Sequence, residues 1–302
     1  MEALLDSALR LAAPLLLAAL GELLVERAGV LNIGVEGMML AGAFAGFAVA
    51  VATNSPAAGV LGGAAAAGVL GALFAYFAVV RRTDQIVVGT AINLLALGAT
   101  GLGVRALFPA GAPTAPTVAN LVLPGLATLP ILGRSLFAQT PFVYAGALAA
   151  TAIAFFLRGT RLGLRLRAVG ESARAADAEG VDVERLRVGA VLVGALFAGV
   201  AGANLSLAQS NSFTEGMSAG RGFIALAVVI FGGWRAWGIV LAAVFFGSAS
   251  ALQFRLQAGG VPIPYPLFLM FPYLVTLAVL AFATRRTQGP ADLGRPYRRE
   301  AG

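Results

Sequence analysis

Apolar runs of bilayer-spanning length recur along this chain, separated by short polar connections. A helix needs about 20 apolar residues to cross a hydrocarbon core of about 30 Å. The runs read as Leu4–Leu24, Glu36–Thr53, Ala57–Val80, Ile86–Phe108, Pro141–Leu157, Val188–Ala208, a short Gly220–Gly233, Trp237–Gln257 and Tyr265–Thr284. The strict alternation that marks a membrane β-barrel strand does not occur. The pattern predicts an all-α, polytopic helical membrane protein of about nine transmembrane helices, with eight and ten as neighbouring counts. Residues 1–284 form the membrane domain, and 285–302 form a polar tail expected to be loosely ordered. Two connections are long: residues 109–140, with Pro113, Pro116, Pro124 and Pro130, and a charged island at residues 158–187. Glu2 and Asp6 spoil the positive start of a signal peptide, so the first run reads as a retained helix.

Some polar groups break the apolar pattern. Asn32 and Glu36 sit among apolar residues, bracketed by Gly29, Gly34 and Gly37. Glycines this dense beside polar groups suggest a broken or re-entrant helix lining a cavity. A charge in lipid costs roughly 2.5–3.5 kcal/mol on insertion scales, so Glu36 faces protein, water or the headgroups near a helix end. Arg221 stands between Gly220 and Gly222 at the start of the short run; it either caps a cavity, pairs with Glu215 or snorkels to the interface. Asn93 in the fourth run suits an interhelical hydrogen bond, or a pore wall. The Gly-rich openings of the second and seventh runs look alike and run in opposite directions, as in an inverted repeat. Small residues four apart (Gly194, Ala198, Gly202; Gly42, Gly46; Gly59, Gly63) let helix backbones approach closely in lipid.

Composition narrows the chemistry. The 302 residues are 59% hydrophobic and 12% charged, against about 25% charged in soluble domains. There is no cysteine, no histidine and no lysine; all 21 basic residues are arginine. Disulfide and thiol chemistry, a P-loop lysine and a Schiff base are therefore excluded, and ATP hydrolysis by this chain is not expected. The net charge of +7 reads as topology signal beside anionic headgroups rather than as nucleic-acid binding. Nine spans place Arg27, Arg81, Arg82, Arg235, the island and the tail on one side, leaving only Arg10, Arg105, Arg134, Arg221 and Arg255 for the other. The arginine-rich side is expected to be cytoplasmic, with the C-terminus inside and the 109–140 loop external.

Within the island, Glu171–Glu179 is expected to form a helix rich in alanine, with Glu171 in its first turn. Gly180 would stop it and Asp182 would cap the helix that re-enters the membrane. An ordinary solvated loop is the plainer reading of the same composition. The order of residues goes further. AVGESARAADAEGVDVERLR (168–187), followed by GALFAGVAGA, resembles the signature region of permease subunits of bacterial ATP-binding-cassette importers. That group holds ribose-type, branched-chain amino acid and nucleoside permeases. ELLVERAGVLNIGVEGMMLAGAFAGF (22–47) is similar to a hallmark of the nucleoside (simple sugar) branch. GRGFIALAVVIFGGWRAWG (220–238) resembles a third motif, where the family often carries a proline after the tryptophan and this chain has Arg235 and Ala236.

The resemblance implies a bacterial inner-membrane importer subunit that moves a nucleoside or simple sugar. Its implied partners are a second permease (a homologue or a copy), two ATPase subunits holding ATP and Mg, and a substrate-binding lipoprotein. No cofactor or metal is implied on this chain, and no catalytic residue. It implies that Arg174, Ala175, Ala176, Asp177 and Gly180 belong to the coupling helix that docks in an ATPase groove. Asn32, Glu36, Asn93, Ser206 and Arg221, with Gln209 and Asn211, would suit a translocation path that binds loosely. Other classes stay in view: an ion-gradient-driven secondary transporter using Glu36, an intramembrane enzyme and a structural scaffold.

Overall fold

The computed structural model describes residues 2–122, 124–125, 133–259, 270, 274, 277 and 289–298. The expected ninth span, Tyr265–Thr284, lies outside these but for isolated positions. The helices run α1 Glu2–Arg27, α2 Val35–Thr53, α3 Pro56–Ala75, α4 Gln85–Leu107, α5 Gly133–Phe137, α6 Pro141–Gly159, α7 Arg161–Glu171, α8 Ala173–Ala178, α9 Val183–Asn204, α10 Arg221–Phe231 and α11 Ala236–Ala258. Wider π turns extend α3 through Tyr76–Val80 and α9 through Leu205–Gln209. Strands β1 Leu121–Val122 and β2 Ala138–Gln139 pair antiparallel across the Pro-rich loop, a small exception in an otherwise helical fold.

Among the described residues, seven helices are long and apolar enough to cross a membrane: α1, α2, α3, α4, α6, α9 and α11. The short run expected as a seventh span is the exception. At 1.5 Å per residue, the 11 residues of α10 reach about 16 Å, half a bilayer core. Residues 210–220, ahead of α10, are not helical and pass through left-handed positions at Asn211, Gly216, Ala219 and Gly220. Phe213 in that segment is buried and packs edge-on against Phe44 of α2.

Helix α1 is the mast of the bundle. It packs against α6, α9, α10 and α11, and 83% of its most apolar window is buried. By contrast α4 and α6 leave Leu94, Leu102, Leu148 and Phe155 on the outside.

The small-residue spacing does what it predicts. A Cβ added to Gly42 would lie 2.5 Å from the Gly199 Cα, and one on Gly63 would lie 2.5 Å from the Gly42 carbonyl oxygen. One on Gly202 would run into the Met39 carbonyl. So α2, α3 and α9 touch backbone to backbone, with glycine required at the crossings. In α9 the expected Gly202 meets α2 and Gly194 meets α1, and Gly199, outside the expected spacing, also sits against α2 and α3.

The arginines sort to two ends. Arg27, Arg82, Arg174, Arg185, Arg187 and Arg295 gather at what we call the basic end, around α7, α8 and residues 289–298. Arg10 and Arg255 line a cavity at the opposite end, where Arg105 pairs with Glu215.

Candidate functional site

At the basic end α1 stops after Arg27, and Gly29, at φ 81°, turns the chain back along it. Residues 28–34 are not helical, so their backbone groups need partners from elsewhere in the protein. Neighbouring helices supply them. The Leu31 N–H donates to the Gln85 side chain at 2.7 Å. The Asn93 amide donates to the Ile33 carbonyl at 3.0 Å and accepts from the Gly37 N–H at 2.7 Å. Asn32, fully buried, donates to Glu22 at 2.8 Å. Asn93 thus plays the interhelical role, stitching α4 to the broken start of α2.

From this broken segment α2 leads away, and α10 begins beside it. Glu36, in the first turn of α2, accepts from the Gly220 N–H at 2.8 Å and from the Gly222 N–H at 2.7 Å. A helix start leaves its first N–H groups without intrahelical partners and carries partial positive charge, so a carboxylate is the fitting cap. Gly222 allows the approach: a Cβ there would lie 2.6 Å from the Glu36 Cα. Two helices therefore meet start to start, α2 running to the opposite end and α10 to the basic end. That is the geometry the resemblance between their Gly-rich openings foreshadows. The far end of α10 is held as firmly. Trp234, at φ 53°, donates its indole N–H to Glu26 at 2.5 Å, while its carbonyl accepts from the Arg27 guanidinium at 2.7 Å.

The charged island folds into a helical hairpin. Thr160 caps α7, accepting from the Gly163 N–H at 3.0 Å. Ser172 then caps α8, accepting from the Ala175 N–H at 3.2 Å. Gly180 at φ 78° ends it, and Asp182 caps α9 by accepting from the Arg185 N–H at 3.0 Å. The expected stop and cap both hold. One detail differs: Glu171 closes α7 rather than opening α8, because Ser172 is extended and takes the cap position. The alanine face also divides. Ala173 and Ala176 are buried against Val169 and Val183, with Tyr297 packed beside them. Arg174, Ala175, Ala178, Glu179 and Gly180 are exposed, and Asp177 is partly so.

The tail, expected to be loosely ordered, is placed and bonded over 289–298. The Asp292 carboxylate accepts from the Ala173 N–H at 2.8 Å, and its own N–H donates to the Gly170 carbonyl at 2.9 Å. The Gly294 N–H donates to the Gly29 carbonyl at 3.1 Å. The buried Arg187 bridges the Ala28 carbonyl at 3.1 Å and the Arg295 carbonyl at 2.9 Å. The Tyr297 hydroxyl donates to Asp177 at 3.0 Å.

Residues 4–280 match the family described as "Branched-chain amino acid transport system / permease component". The chain belongs to that permease family. It is 40% identical to a putative glucose ABC transporter permease protein of Haloferax volcanii, over 98% of each chain. It is 36% identical to a guanosine ABC transporter permease protein of Bacillus subtilis, over 95% of this chain and 93% of the relative. It is 32% identical to a nucleoside ABC transporter permease protein of Lactococcus lactis, over 94% and 93%. No solved structure matches the chain.

Of the residues read as a translocation path, the permease brings Asn32, Glu36, Asn93 and Arg221 into one neighbourhood, the junction of α2, α4 and α10. Arg221 does not pair with Glu215; it donates to the Met217 carbonyl at 2.9 Å, and Glu215 takes Arg105 instead at 2.9 Å. Ser206 is buried in the π turn of α9 and donates weakly to the Ala203 carbonyl at 3.4 Å. Gln209 donates to the Arg10 carbonyl, and the Asn211 carbonyl accepts from Ala115, both toward the opposite end. Glu22, Glu26, Trp234, Arg187 and Asp292 escaped the sequence reading. Only Glu22 and Glu26 left a signal: two acids four apart lie on one face of an apolar helix.

Proposed function

We propose that this permease forms the passage of an importer for a nucleoside or simple sugar, a polar and mostly uncharged solute. Two separate ATPase subunits hydrolyse ATP with Mg and dock at α8. A second permease, a homologue or a copy, completes the passage, and a substrate-binding lipoprotein delivers the solute from outside. The basic end faces the cytoplasm, which the arginine excess at that end supports. The solute class rests on the relatives named for glucose, guanosine and nucleosides.

The observation that carries this reading is the α7–α8 hairpin. A helix of six residues, capped at its start, stopped by a left-handed glycine and held from behind, presents Arg174, Ala175 and Ala178 outward from the basic end. A docking foot needs such a rigid, small-sided projection. Ala175→Arg, on the exposed face, places a bulky charge where the groove must close. In the reconstituted complex it should lower import on the order of tenfold or more, the scale of an interface hot spot. Unchanged import and ATP hydrolysis in Ala175→Arg would remove α8 as the docking element. Uphill transport by this chain without ATPase subunits would establish the ion-driven alternative instead.

A further inference from the structure

The family membership explains a foot at the basic end. It says nothing of why ten residues near the C-terminus grip that foot on one side and the broken start of α2 on the other. We propose that residues 289–298 are a coupling strap, which carries displacement of α8 to the 28–34 segment and so to the Glu36 junction. Asp292 is its principal positioning residue. The proposal rests on the reading of α8 as the docking element.

The bonds fall into two sets. On the hairpin side the strap holds both ends of α8. Asp292 takes the Ala173 N–H at 2.8 Å, a first-turn donor that the Ser172 hydroxyl does not take. Tyr297 donates to Asp177 in the last turn at 3.0 Å, and the Asp292 N–H fixes the Gly170 carbonyl at the elbow at 2.9 Å. On the other side the Gly294 N–H holds the Gly29 carbonyl at 3.1 Å. Arg187, 3% exposed, donates to the carbonyls of Ala28 and Arg295 at once. Ala28 and Gly29 open the non-helical segment that carries Asn32 and leads into Glu36.

The strap is therefore a short route between foot and junction. A second short link is the elbow itself, where Gly170 packs on the Arg27 carbonyl and the Gly29 nitrogen and Glu171 lies 4.0 Å from Arg27; the strap adds hydrogen bonds to that contact. The elbow contact is close, since a Cβ on Gly170 would strike the Arg27 carbonyl, and it belongs to α7 rather than to the strap. The segment itself is not helical, so its shape depends on these bonds together with those from Gln85 and Asn93. Asp292 and Arg295 also lie 3.7 Å apart, an exposed contact of minor weight.

The test uses the full complex with its ATPase subunits and binding protein, reading import, substrate-stimulated ATP hydrolysis and co-purification of the ATPase separately. Asp292→Ala should lower import and its stimulation of hydrolysis about fivefold to tenfold, the factor for losing one helix cap or charged hydrogen bond. The ATPase subunits should stay bound. Asp292→Asn should restore import, because asparagine caps as well as aspartate. Tyr297→Phe should reduce import a few-fold, and carries the same test if Asp292→Ala fails to accumulate. Wild-type import in Asp292→Ala and Tyr297→Phe overturns the strap. Loss of the ATPase subunits overturns it too, making the tail a docking element, as does an Asp292→Asn variant as defective as alanine. The two readings separate cleanly: Ala175→Arg inert sinks the docking helix, whereas Ala175→Arg inactive with Asp292→Ala normal sinks the strap alone.

Discussion

The α2–α3–α9 crossing and the junction of α2 with α10 join helices by opposite means. At the crossing, backbones touch over Gly42, Gly63, Gly199 and Gly202, and among the described residues no side-chain hydrogen bond joins these helices. At the junction, helix starts face one another and side chains span the gap: Glu36 to Gly220 and Gly222, Asn93 to Ile33 and Gly37. Both answer the same problem, since lipid offers helices no hydrophobic reason to associate. Their mechanical character differs. Glycine contacts admit one fit, because any displacement opens a void or a clash. A carboxylate on two N–H groups can trade those partners for water. The permease thus has a stiff frame beside a joint whose bonds can be exchanged.

Substitutions at three positions sharpen that contrast. Gly202→Val should do most harm, because its branched carbons would collide with the Met39 carbonyl, which is backbone and cannot yield. Overpacking of this kind costs about 3 kcal/mol or more, and should appear as loss of folded protein or a large fall in thermal midpoint in detergent. A variant of normal stability would show that the frame is looser than drawn. Glu36→Ala should come next. It leaves the Gly220 and Gly222 N–H groups without their acceptor, a cost of about 1–3 kcal/mol, and should impair transport beyond its effect on stability. Glu36→Gln keeps one acceptor and should fall between; equal stability of all three would dissolve the joint.

Arg105→Ala should matter least. Its pair with Glu215 is exposed at the opposite end, and such pairs contribute little. The hydrogen bond from Arg105 holds the Glu215 carboxyl below the ordinary carboxylate range. A depressed carboxylate stabilises above its unfolded value, and that contribution disappears as pH falls through the folded one. Variant and wild type should therefore differ slightly at neutral pH and converge in strong acid. A difference that grows with acidity would contradict the pairing.

Legibility in the sequence followed the range of each interaction. Seven of the spans written in apolar runs, and the Ser172–Gly180–Asp182 punctuation of the hairpin, are local signals and came through with small shifts of boundary. The glycine spacing announced close packing but not its partners. Glu171 was misassigned because a single extended residue, Ser172, decides which helix owns it. The shortness of α10 was legible in part: its run was already short, but that run continues into Gly232 and Gly233, which do not belong to the helix. Arg187, Trp234 and Asp292 were illegible for a different reason. Their partners lie 159, 208 and 119 residues away, so nothing near them in the chain marks their roles. The tail read as loose because its order comes from bonds to the hairpin, not from a propensity of its own.

The grip of Glu26 on Trp234 has a consequence for biosynthesis. Chains emerge at about 5–20 residues per second. With 208 residues between the two, the acid precedes its indole by on the order of ten to forty seconds. During that interval the first helix must wait at the translocon or in the bilayer with Glu26 lacking this partner, so the order of synthesis, and not only the finished contacts, shapes how the molecule assembles.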